Sequence, residues 1–164
     1  MTTDASRSRT IEWQDPAAAF QSTVGRTGLE VMFGLRDGTV PPPPMAVTMN
    51  ARIIDAAPGR VEFVAEPGEE HYNPLGVVHG GFVCTLLDTV VGCAAHTTLG
   101  AGVAYTSIEL TVKYLRPITL ETGALHATGT VTKGGRRVIF AEGTVTDASG
   151  TLLATGSSSL LVLG

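Results

Sequence analysis

The sequence predicts one α+β domain built on a single long apolar helix and an antiparallel sheet. Three observations carry this. The stretch 71–100, HYNPLGVVHGGFVCTLLDTVVGCAAHTTLG, turns at His79-Gly80-Gly81 into a run that is apolar nearly all round, which is the pattern of a buried helix. Two short strand patterns precede it, and long alternating, β-branched runs follow Gly102. At 164 residues the chain is long enough for one domain with a real core. A helix of this kind needs a sheet that curls around it, or a second helix beside it.

In chain order, residues 1–10 are polar and are expected to be disordered. Asp15-Pro16 is a helix start, with Asp15 as N-cap and proline at the first helical position. Phe20, Val24, Val31 and Leu35 extend an interrupted helix to about Arg36, weakened by Gly25, Gly28 and Gly34. Asp37-Gly38 ends it, and residues 41–44, four prolines, form a stiff connector. The first strand is expected over 45–56, from the alternation of Met45, Val47 and Met49, and the second over 60–66 after a Pro58-Gly59 turn. The central helix follows and ends near Leu99-Gly100. The next strand has Ile108, Leu110, Val112 and Tyr114 on one face and Ser107, Glu109, Thr111 and Lys113 on the other. Before Ser107 the phase differs, which predicts a bulge near Thr106. Strands over 123–133, 137–147 and 151–163 complete a four-stranded meander after the helix, joined by turns at Gly134-Gly135 and 147–150. Residues 1–44 read as tail, helix and connector, and 45–164 as the main domain.

Eleven basic against fifteen acidic residues give a net charge of −4, so neither nucleic acid nor an anionic membrane surface is expected as a partner. Cys84 and Cys93 are nine residues apart, about 13 Å along a helix, too far to bridge to each other. Buried free thiols suit a reducing cytoplasm. The N-terminal ten residues carry no hydrophobic signal core, and no uncharged run reaches the length of a membrane span. The expectation is a soluble cytoplasmic protein. His71, His79 and His96 lack a metal-ligand spacing, and neither metal nor cofactor is expected.

Three features mark the candidate site. The N–H groups that open the central helix after His79-Gly80-Gly81 have no intrahelical partner, and attract negative charge, including the oxyanion on an attacked carbonyl. The alternative is simply a glycine-rich entry into a tightly packed helix. Asp88 is the only ionisable side chain between His79 and His96 apart from the thiols. A carboxylate in such a helix needs a partner, such as Lys113 or a hydroxyl, or a job as general base or nucleophile. Asn73 and His79 flank the loop; taken singly they read as a turn former and a capping residue. Gly80 and Asp88 are eight residues apart, about 12 Å on one helix, so one small carbonyl cannot touch both. If both act on one carbon, the second comes from another copy of the chain.

Asn73-Pro74-Leu75-Gly76-Val77-Val78-His79-Gly80-Gly81, followed by Asp88, resembles the loop and helix of the hotdog-fold acyl-CoA thioesterases of the phenylacetic-acid-degradation (PaaI-like) type. Ser107-Ile108-Glu109-Leu110 and Tyr114-Leu115-Arg116-Pro117 resemble the strand after that helix, and Gly134-Gly135-Arg136-Arg137 a later hairpin. The resemblance spans roughly residues 45–163. It implies a sheet wrapped around the central helix, dimers or dimers of dimers, and hydrolysis of an acyl-CoA thioester at the subunit interface. Carried over, the Gly80 N–H polarises the carbonyl and Asp88 of the partner activates water or forms a transient anhydride. Asn73 positions water or the thioester, His79 supports the loop, and Ser107, or Thr106 after a one-residue shift, supplies a hydroxyl. Gly81, Phe82, Leu86 and Tyr105 are candidates for the substrate pocket; Arg116, Arg136 and Arg137 are candidates for the CoA phosphates, which suit guanidinium forks. The competing readings are a hotdog dehydratase or hydratase, a non-catalytic acyl-CoA sensor, and a buried structural Asp88.

Overall fold

The chain runs α1 (Pro16–Gln21), α2 (Gly28–Asp37), α3 (Pro44–Thr48), β1 (Ala51–Ala57), β2 (Arg60–Ala65), α4 (Gly80–His96), β3 (Ala104–Tyr114), β4 (Leu125–Lys133), β5 (Val138–Thr146) and β6 (Leu152–Leu163) in the computed structural model, which describes residues 6–163. The strands form one antiparallel sheet in the order β1-β2-β4-β5-β6-β3. It packs on α4 through β2, β3, β4, β5 and β6, so the sheet curls around the helix as the apolar run requires. Leu86, Leu87, Val90, Val91 and Ala94 have no exposed surface, and each large aliphatic side chain so buried contributes about 1.5–3 kcal/mol. The approach is close because β4 carries Gly129, where a Cβ would lie 2.0 Å from the Val90 carbonyl oxygen.

One face of α4 is not covered. Gly81 is exposed, and Cys84, Thr85, Asp88 and Thr89 are half-buried, so the expected burial on all sides is corrected to a buried helix with one small and polar stripe. The stripe lies beside β3, none of whose residues is fully buried.

The N-terminal helix is two helices broken at 22–27, with Thr27 and Glu30 forming a reciprocal cap at the start of α2. Val31 and Met32 of α2 belong to the same core as α4. Residues 1–5 lie outside the described residues. Residues 6–10 form neither helix nor strand, but Arg7 and Arg9 pair with Glu69 and Glu70. The expected strand over 45–56 begins only at Ala51. Pro44 sits at the first helical position, where its fixed φ favours a turn of helix, and Asn50 at φ 48° turns the chain into β1.

The four-stranded meander is also corrected. β4, β5 and β6 are joined as hairpin neighbours, but β3 pairs with β6 and β4 with β2. The segment after β3 is too tied down for a hairpin: Leu115 and Arg116 donate to the Leu153 carbonyl, and the Ile118 carbonyl accepts from Val78 N–H. It crosses the start of α4 and delivers β4 to the far side. β3 is left as an edge strand. Its irregularity falls between Ser107 and Glu109, making Ile108 the extra residue rather than one near Thr106.

At the other end of α4, burial pushes the His96 imidazole below the ordinary histidine range. The unfolded chain therefore takes up this proton first. The stabilising effect is fully present above about pH 6.5 and is lost as pH falls from there through the folded-state value. Melting curves between pH 8 and pH 5 should show a falling Tm, with a smaller fall in His96→Gln.

Candidate active site

The loop before α4 is shaped by its own backbone. Asn73 N–H donates to the Val77 carbonyl at 2.8 Å, and Asn73 Oδ1 accepts from Leu75 N–H at 2.9 Å and from Val77 N–H at 3.4 Å. Asn73 is thus the turn former its type suggests, yet its amide NH2 makes no hydrogen bond among the described residues. His79 N–H donates to the His71 carbonyl at 2.8 Å, which pins the loop exit. His79 is the N-cap, its Nδ1 accepting from Gly81 N–H at 2.8 Å.

That cap leaves one donor over. The Gly80 N–H has no acceptor among the described residues and stands at the positive end of a 17-residue helix. Tyr114, on β3, holds this peptide from the other side: its hydroxyl donates to the Gly80 carbonyl at 3.0 Å. A Cβ on residue 80 would lie 3.1 Å from the Tyr114 ring, so glycine permits the contact. Gly80 and Tyr114 open onto a cleft of about 320 Å³ that Arg116 also lines. Tyr114 was not singled out from the sequence. The available signal was its place in the inward phase of the strand, but reading it required knowing that this strand runs back to the helix start.

Asp88 lies on the uncovered stripe, two turns further along. It accepts from the Ser107 hydroxyl at 2.8 Å, and among the described residues no cation pairs with it. Lys113 is not its partner; a hydroxyl is. Thr106 Oγ1 reaches instead toward the Ser107 carbonyl, so the geometry favours Ser107 of the two hydroxyl candidates. Asp88, Ser107, Cys84, Thr85, Glu109 and Leu110 line an open groove of about 370 Å³. This groove and the Gly80 cleft share no residue.

The remaining candidates divide. Gly81 is exposed beside Gly80. Phe82 is buried, its ring 4.7 Å from that of His71, and Leu86 is fully enclosed in the core. Tyr105 lies beside Gly92, one turn past Asp88, and lines a separate cavity. Arg116, Arg136 and Arg137 are exposed and form no ion pair among the described residues. Burial pushes the Cys93 thiol up to about 12, helped by the nearby Asp88 charge. Tyr105 is also raised, first by burial and then by Cys93 and Asp88. Both stay neutral at physiological pH. No group of three or more His, Cys, Asp or Glu is gathered as a metal site among the described residues, and no helix there is long and apolar enough to cross a membrane.

A curved antiparallel sheet wrapped on one long helix is a hotdog fold, and a carboxylate with an unpaired helix N-terminus suits hydrolysis of an acyl group. Residues 75–154 match the family model described as the thioesterase superfamily. Human acyl-coenzyme A thioesterase 13 is 32% identical over 105 residues, 63% of this chain and 74% of that protein. A phenylacetic acid degradation-related protein from Ralstonia eutropha superposes with a TM-score of 0.73 at 26% identity, over 79% of this chain and 98% of that one. A protein from Streptococcus mutans, solved bound to acetyl-CoA, gives a TM-score of 0.64 at 25% identity, over 70% and 90%. The chain belongs to the thioesterase superfamily, a family of hydrolases.

Proposed function

We propose that the protein hydrolyses an acyl-CoA thioester to a free acid and CoA in a site made from two copies of the chain. The observation that carries this is the separation of the two reactive groups. The unpaired Gly80 N–H and the Asp88 carboxylate stand on one helix about 12 Å apart and open onto different depressions. One carbonyl carbon can meet both only if the second group comes from another copy. β3 offers the means: it is 11 residues long and, among the described residues, pairs only with β6. An uncovered edge of that length readily pairs with another strand. Two copies joined edge to edge along β3 would bring their α4 stripes together, each Asp88 toward the other's Gly80.

The chemistry follows from the groups. The thioester oxygen accepts from Gly80 N–H, which with the helix dipole stabilises the charge that develops there. Ser107 occupies Asp88 Oδ1 and leaves Oδ2 to take a proton from water as its oxygen attacks the carbonyl carbon. The C–S bond then breaks, and the proton on Asp88 passes to the CoA sulfur. The free Asn73 amide positions the water or the thioester, while His79 holds the loop. Arg116, beside the Gly80 cleft, and Arg136 and Arg137, in the β4–β5 turn, take the CoA phosphates. The acetyl-CoA held by the Streptococcus mutans protein supports CoA as the carrier. Dimers or dimers of dimers in the cytoplasm complete the reading.

The test is thiol release from a panel of aliphatic and aromatic acyl-CoAs. Turnover of at least one ester is expected, and release from none would contradict the proposal.

A further inference from the structure

A large apolar cavity lies at the opposite end of α4 from Gly80, where the N-terminal segment meets the start of β3. It measures about 580 Å³ and is lined by Phe20, Val24, Val31, Val103, Tyr105 and His96, among others. This lies within the range of about 300–1,000 Å³ typical of small-molecule sites. We propose that this cavity receives the far end of the acyl group, so that the N-terminal segment, outside the family match, selects for chain length. The inference rests on the thioester-hydrolase reading of Asp88 above.

Continuity with the site is the first argument. Tyr105 is two residues before Ser107 on β3, and a Cβ on Gly92 would lie 3.2 Å from its ring. Gly92 is one helical turn beyond Asp88 on the same face. The Tyr105 side chain therefore stands on the side of the cavity toward Asp88, and its hydroxyl makes no hydrogen bond among the described residues. The second argument is chemical. Arg26 is the only charged residue in the lining, since burial keeps His96 and Tyr105 neutral. Phe20 and Val24 present large apolar surfaces there, 67% and 64% exposed, and an apolar tail would cover them.

Reach fixes the class of acyl group. Asp88 and His96 are eight residues apart, about 12 Å along the helix axis. Carbon–carbon bonds of about 1.5 Å advance an extended chain by roughly 1.3 Å each. A chain of about eight to ten carbons spans the distance, whereas acetyl and butyryl groups end near Asp88.

The experiment compares kcat/KM for decanoyl-CoA and butyryl-CoA in the wild type, Val24→Trp and Phe20→Ala. Both positions are solvent-exposed, so folding is not at stake. The wild type should favour decanoyl-CoA by at least about tenfold, the least that a single well-buried methylene is worth in an apolar pocket. Val24→Trp fills the cavity and should lower the ratio about tenfold, and Phe20→Ala should lower it severalfold through KM. Ratios unchanged in both variants of an active enzyme would overturn the cavity assignment and leave the hydrolase reading standing. A wild type that releases CoA from no ester would overturn the hydrolase reading and, with it, this inference.

Discussion

Asp88→Asn is expected to lower kcat on any acyl-CoA substrate by about 10²- to 10⁴-fold, the usual loss for a general base. Affinity for the ester should change little. Asparagine keeps the shape of the side chain, and its Oδ1 can still accept from Ser107 at the 2.8 Å position. Asp88 is half-buried in an open groove, not sealed inside the core, so the change in stability should stay within about 0.5 kcal/mol. Thiol release, titration with a CoA ester and a thermal melt measure the three quantities. Undiminished turnover would remove Asp88 from the chemistry. Loss of the fold would make it a structural acid.

Gly80→Pro should have an effect nearly as large for a different reason. Proline at the first helical position removes a backbone N–H and little else. His79 already has the extended conformation, φ −60° and ψ 135°, that a residue before proline prefers. The donor removed has no acceptor among the described residues, so no internal hydrogen bond is lost. On the proposed mechanism only the charge on the attacked oxygen loses its partner, and removal of one such donor costs about 10²- to 10³-fold in kcat. Gly80→Ala is the control: it adds the same crowding against Tyr114 but keeps the N–H. Full activity in the proline variant would exclude this peptide as the oxyanion donor. Equal loss in both variants would assign the effect to Tyr114 being displaced.

The central helix and the turns could be read from the sequence because each rests on a local pattern; on β3 the expected faces fail at the bulge, where Ile108 is exposed and Ser107 turns to Asp88. The bulge near Ser107 was also visible, as a change of phase, although its place was off by a residue or two. Residues 45–48 misled because Met45, Val47 and Met49 alternate like a strand, while Pro44 favours a helical turn and Met45 is left exposed. Strand order could be read only where a tight turn joins neighbours, as in β4-β5-β6. Nothing local to 104–114 says that it pairs with 152–163 rather than with its sequence neighbour. The same non-local fact hid Tyr114, whose contact with Gly80 depends on where β3 ends. The candidates Asp88, Asn73, His79 and Gly80 stand out in the sequence because a lone acid and a glycine-rich helix start are local anomalies. The partner of Asp88 was harder to find: a hydroxyl and Lys113 were equally open until the bulge set the phase of Ser107.

The shared site is tested most directly by combining the two variants in one dimer. Asp88→Asn and Gly80→Pro chains, co-expressed with different affinity tags and purified through both, give heterodimers only. If each site takes Asp88 from one chain and Gly80 from the other, one site of the two carries both defects and the second carries neither. The account predicts about half the wild-type activity from two inactive parents. Heterodimers no more active than the parents would show that Asp88 and Gly80 act within one chain, and would contradict it.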